Sequence, residues 1–165
     1  MADLTAHFRQ LAAYNRAANA LLYEACAALS DDERRQARPA FFGSIHGTLN
    51  HILLGDRIWM GRFEGQEMPS TNLDRILYDN FEELSAARVA EDARIVRFCD
   101  SLSGAFLAGS IRYVNNEGRD YDDPVDLVLP HLFNHQTHHR GQVHDMLSQT
   151  AVPPPSLDMH RVLKP

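Results

Sequence analysis

Apolar residues recur every three or four positions from Leu4 to Leu29, through Phe8, Leu11, Ala12, Leu21, Leu22 and Ala25, and this spacing predicts a long first helix. Ser30-Asp31-Asp32 breaks the pattern, and Pro39 separates it from the next apolar run. Ser44 is placed to cap a second helix reaching about Phe63, with Ile45, Leu49, Ile52, Leu53, Ile58 and Trp59 at its apolar positions and Gly65 and Pro69 ending it. A third helix is expected from Leu73 or Arg75 to about Leu102. There Ile76, Leu77, Phe81, Leu84, Ile95 and Phe98 keep helical spacing while charges fill the other positions.

Between Gly109 and Asp123 the spacing changes. Short β-type stretches flank the turn signal Asn115-Asn116-Glu117-Gly118, so an irregular crossover or small hairpin is expected. Asp123-Pro124 then reads as a cap and helix-starting proline for a fourth helix to about Gln149, with Asp126 in its first turn and Pro153-Pro154-Pro155 stopping it. The last ten residues are too short to fold alone and are expected to pack back on the rest. Four long amphipathic segments with one long crossover before the last predict an all-α four-helix bundle, a single domain over residues 1–165.

Composition narrows the partners. The chain has 44% hydrophobic and 23% charged residues, ordinary globular usage, which argues against disorder. The formal net charge is −6 and no lysine- or arginine-rich run occurs, so a nucleic-acid partner is not expected. No apolar run approaches the roughly 18 residues that cross a bilayer. The segment MADLTAHFRQ lacks the apolar stretch of a signal peptide, so the cytoplasm is the expected compartment. Cys26 and Cys99 stand alone in helical patterns, without CxxC spacing, and read as small buried hydrophobes.

Five of the nine histidines, His131, His135, His138, His139 and His144, fall in the fourth helix. At roughly 100° per residue, His135 and His139 lie nearest the apolar face, and their spacing of four stacks two imidazoles one turn apart. That is how one helix offers two ligands to one metal, though satisfied, partly buried histidines would look the same. A third ligand would have to come from another helix. His46 and His51 of the second helix are the candidates, and spacing alone leaves both open.

Tyr14-Asn15-Arg16-Ala17-Ala18-Asn19, FGSIHGTLNHILLGDRIW (Phe42 to Trp59) and NHQTHHRGQ (Asn134 to Gln142) resemble motifs of the DinB/YfiT-like family of metal-dependent proteins, in order and across nearly the whole chain. The resemblance implies a DinB-like bundle holding a divalent metal, zinc or nickel, through His51, His135 and His139. It implies a small-molecule substrate or thiol as partner, and a homodimer. Three neutral imidazoles leave a position open, as in catalytic rather than structural sites. The species on that position would be a water or a low-molecular-weight thiol bound as thiolate, and no residue is assigned a catalytic role.

Several neighbours have two readings. Asp56 orients a ligand or pairs with an arginine, with pairing the simpler. Arg140 and Gln142 contact substrate or brace the bundle. His131 and His138 read as exposed or supporting residues, Tyr14, Asn15 and Asn19 as ties between helices, and Trp59 as core packing. No Glu stands between the paired histidines as in HExxH, so thiol transfer to a small electrophile is expected ahead of hydrolysis. The other class of function is a stress-related bundle that binds a metal or small molecule without turnover. Ordinary imidazoles near pKa 6.5 would release metal below roughly pH 6.

Overall fold

The computed structural model describes residues 4–66 and 72–164; Pro69, an expected helix end, lies outside them. Four long helices carry the fold: α1 (Leu4–Ala27), α3 (Ile45–Phe63), α4 (Phe81–Ser101) and α6 (Val125–Leu147). Short helices α2 (Asp31–Arg35), α5 (Gly104–Leu107) and α7 (Met159–Val162) and a hairpin of β1 (Ser110–Val114) and β2 (Asp120–Pro124) fill the connections. The helices pack in a closed square, α1 against α4 and α6, and α3 against α4 and α6. The fold is thus all-α apart from the hairpin. Two apolar clusters fill it, one around Met60, Ile95, Leu129 and Leu132 and one around Leu22, Leu49, Leu53, Leu84 and Met146. Among the described residues, no helix is long and apolar enough to cross a membrane.

Local chemistry explains the starts. The Ser44 hydroxyl accepts from the Gly47 amide at 3.0 Å, the cap expected for the second long helix. Ser30 ends one helical pattern by starting another: with Glu33 it forms a capping box that opens α2. The hairpin turns at Asn115, whose side-chain oxygen accepts from the amides of Glu117 and Arg119, both at 2.9 Å, while Gly118 takes φ +78°. Of the crossover and the hairpin, the chain forms the hairpin.

Two expectations fail for physical reasons. The third long helix begins at Phe81, capped by Asn80, and not at Leu73 or Arg75. The preceding stretch is bound to α3 instead: the Asn50 carboxamide accepts from the amides of Leu77 and Tyr78 at 2.9 and 3.0 Å, and His46 Nε2 meets the Tyr78 carbonyl at 3.0 Å. Backbone groups engaged this way cannot join a helical ladder, and tertiary contacts override the spacing. Asp123 does not cap α6. Its carboxylate accepts from the Tyr113 hydroxyl at 2.6 Å across the hairpin, and Pro124 takes the cap position without a side-chain bond.

At the centre lies a closed ring of polar side chains from all four long helices. Asp56 accepts from Arg88 at 2.5 Å and from Gln136. Arg88 reaches Asp92 at 3.0 Å, and Asp92 accepts from Asn19 at 2.9 Å. Arg140 donates to Asn15, to Asn19 at 3.3 Å and to Gln136 at 3.1 Å, which closes the circuit. Two arginines balance two aspartates. Burial raises both carboxyls above their usual range while Arg88 pulls them down. The arginine pairing considered for Asp56 and the bracing considered for Arg140 are what the structure contains. The C-terminal segment packs back as expected, with Tyr14 donating to the Leu157 carbonyl at 2.6 Å.

Removing one member of a buried pair strands the other charge. Arg88→Met is therefore expected to cost about 3–5 kcal/mol of stability in urea unfolding. Arg112→Gln, which removes the exposed pair with Asp122, should leave stability nearly unchanged. Similar losses in both variants would contradict the account of the ring.

Candidate metal centre

One helical position before each of two ring members, α6 presents His135 and His139. Gln136 and Arg140 point to the bundle centre, and a step of roughly 100° turns His135 and His139 toward α3. There they meet His51. Ring centroids are separated by 5.0 Å (His51–His135), 4.5 Å (His51–His139) and 4.4 Å (His135–His139). One ring nitrogen from each falls within 4.8 Å of the others, a group that could hold a metal ion. His46, the other candidate in the second helix, turns away to Tyr78 and takes no part.

Second partners decide which nitrogens are available. His51 Nδ1 lies 2.8 Å from the Leu73 carbonyl. A carbonyl only accepts, so Nδ1 carries the proton and Nε2 its lone pair. His139 Nδ1 is held in the same way at 2.8 Å by the Gln142 side-chain oxygen, whose amide nitrogen lies 3.3 Å from His138 Nε2. Gln142 thus supports a histidine of the cluster, and His138 meets the His139 ring edge-on at 4.7 Å between centroids. Holding the remote N–H on an oxygen fixes the tautomer of a metal-ligating histidine. His135 differs. Its Nδ1 is buried with no partner among the described residues, and its Nε2 lies 3.0 Å from His51 Nε2. With its proton on Nδ1, His135 would turn a third imidazole lone pair toward the other two, and such a three-nitrogen donor set fits a borderline-soft divalent ion.

The cluster is packed closely. Phe42 stacks on His51 at 3.7 Å between centroids and meets His139 edge-on at 5.5 Å. Across α3, a Cβ added at Gly55 would fall 2.7 Å from His135 Cε1, so the bare backbone makes room for the ring. Burial, with the neighbouring imidazoles of His139 and His51, pushes His135 down to about 3, and burial pushes His139 down to about 4. Burial lowers His51 as well. The expectation of ordinary imidazoles near 6.5 is thereby corrected. Both cysteines are buried with thiols pushed up to about 12, far from nucleophilic.

Two cavities open on the cluster. One, of about 380 Å³, is lined by Phe41, Phe42, Leu73, His138 and Gln142 together with the three histidines. The other, of about 350 Å³, shares His51, His135 and Leu73 and continues past Gly55, Trp59, Arg62 and His131 to the hairpin tip at Asn115–Glu117. Trp59 therefore packs partly on the core and partly on this cavity, and His131 lies against its ring at 5.1 Å. Periodicity carried no sign of Gly55, Leu73 or Arg62 as site residues. Of the three, only Gly55 lies within the Phe42-to-Trp59 motif.

A model of the DinB family matches residues 1–165. The chain belongs to the DinB family. It is also 26% identical over 152 residues to Protein DinB of Bacillus subtilis (strain 168), an alignment spanning 82% of this chain and 81% of that protein. In this DinB-family chain His51, His135 and His139 form a three-histidine group that could hold a metal ion.

Two outcomes are expected of this DinB-family protein. Gly55→Ala should lower affinity for added zinc by about tenfold or more while leaving the helical signal intact, because alanine suits a helix better by about 1 kcal/mol but displaces His135. Unchanged zinc affinity would show that the close approach is irrelevant. The second concerns pH without metal. The folded-state pKa values of His135 and His139 lie below the unfolded value, so the unfolded chain binds more protons as pH falls. Stability should be full above about pH 6.5 and decline steadily toward pH 4. In a variant with both histidines changed to Gln, that decline should shrink when unfolding is followed across the range.

Proposed function

We propose that this protein holds one divalent transition metal, zinc or nickel, on His51, His135 and His139, and that it is an enzyme joining a small thiol to an electrophile rather than a hydrolase. The observation that carries this reading is the convergence of three histidines, with two remote nitrogens anchored on Leu73 and Gln142, beside an accessible cavity. A divalent ion there would act as a Lewis acid, lowering the pKa of a thiol or water presented to its open side.

The surrounding residues favour the thiol. No carboxylate lines the 380 Å³ cavity among the described residues, so that side lacks the general base that hydrolysis by the HExxH arrangement requires. A thiol needs less help, because its ordinary pKa is near 8.5. Phe41, Phe42 and Leu73 supply an apolar wall, and His138 and Gln142 supply the polar groups. The protein's own cysteines are buried and protonated, so the thiol is a separate small molecule. We place the protein in the cytoplasm, without nucleic-acid or membrane partners. A homodimer is proposed on the family resemblance alone.

The test begins with metal content. His139→Ala should reduce bound zinc or nickel by roughly tenfold or more while the helical signal persists, since the apolar core does not depend on the ion. Loaded wild-type protein, given an electrophile and a panel of cellular thiols, should consume at least one thiol, and chelation should stop it. Metal binding with no consumption across the panel would replace the enzyme by a non-catalytic binding bundle. Failure to bind metal would remove both.

A further inference from the structure

We infer that the 350 Å³ cavity between the histidine cluster and the hairpin is a carboxylate subsite, in which Arg62 pairs with a carboxylate of the small molecule processed at His51, His135 and His139. The inference rests on the proposed function for the reacting end of that molecule and adds what its other end must be. His51, Gly55, Ile58 and Arg62 share one face of α3, and all line this cavity. Arg62 is eleven residues beyond His51, roughly 16 Å along the axis, and helical side chains lean back toward the N-terminus, which shortens the span.

Arg35, Arg57, Arg88, Arg94, Arg112 and Arg119 each face a carboxylate within 4.0 Å. Arg62 combines partial burial with the lack, among the described residues, of a carboxylate partner and of a hydrogen-bond partner for its Nε. It is nevertheless held in place. Its guanidinium lies 4.7 Å from the Trp59 ring and 4.1 Å from the Tyr113 ring. Glu117, the acidic residue of the cavity wall, is engaged by Arg119 at 3.3 Å.

An oriented, half-buried guanidinium without a counter-charge has an unmet preference for an anion, and its planar fork matches a carboxylate in two parallel hydrogen bonds. Its single charge, with amides at Asn115 and Asn116 in the wall, suits a monoanion better than a doubly charged phosphate. The corresponding substrate class is a thiol or electrophile bearing a carboxylate on the order of 10 Å from its reacting atom. The hairpin gains a role as well, since Tyr113 packs on the Arg62 guanidinium while the tip residues line the cavity.

The test uses metal-free, full-length protein and a matched pair of probes, hexanoate and hexanol, so that neither metal nor thiol chemistry enters. Calorimetric titration of wild type should show saturable hexanoate binding about tenfold tighter than hexanol, with a parallel change in the fluorescence of Trp59, the only tryptophan. Arg62→Gln should abolish the preference. If that variant loses its helical signal, the wild-type guanidinium resonances are followed by NMR and should shift with hexanoate and not with hexanol. No preference in wild type, a preference kept in Arg62→Gln, or unmoved guanidinium resonances would overturn the subsite. None of those results bears on metal binding, and failure to bind zinc would leave the Arg62 result standing.

Discussion

The buried ring of Asp56, Arg88, Asp92, Asn19, Arg140 and Gln136 constrains everything else in this bundle. Apolar packing tolerates a helix rotated by some degrees, but a buried charge tolerates very little, because a lost partner leaves it unsolvated. Arg88–Asp92, Asn15–Asn19 and Gln136–Arg140 are each pairs four residues apart, and each sets the rotation of its own helix against the others. Asp56 does the same for α3. Such a ring adds little net stability over apolar residues, yet it penalises other arrangements heavily.

The histidine cluster inherits that rotation. His135 and His139 each precede a ring member by one residue, so fixing Gln136 and Arg140 at the centre directs both imidazoles at α3. Gly55 lets His135 approach, and the Leu73 carbonyl and Gln142 oxygen settle which nitrogens bear protons. Burial and mutual repulsion keep the rings neutral well below the usual imidazole range. A cation and a proton compete for the same lone pairs, and the low imidazole pKa values weaken the proton as a competitor.

The connections complete the site. Residues 72–80 are held on α3 by Asn50 and His46 and deliver the Leu73 carbonyl to His51. The hairpin brings Tyr113 onto Arg62 and its tip over the second cavity. Neither piece joins the square of helices, yet each supplies a wall or a hydrogen bond that the helices alone lack.

Local spacing along the chain determined the four long helices, the capping serine at Ser44, the turn at Asn115–Gly118 and the pairing of His135 with His139, because each depends on residues within one or two turns of one another. Tertiary structure alone decided the rest. The spacing of Leu73, Ile76 and Leu77 suited a helix, but side chains of α3 claimed the backbone amides there. In the sequence Arg88 and Asp92 are merely two of the charges between the apolar positions of the third helix, since a buried charge and an exposed one look alike until a partner distant in sequence is in view. The choice of His51 over His46 came from family resemblance, and its physical basis is the direction of the rings across the bundle. Arg62 had no local mark at all. Its unpaired charge becomes visible only when Trp59, Tyr113 and the histidines surround one cavity, a fact of packing and not of periodicity.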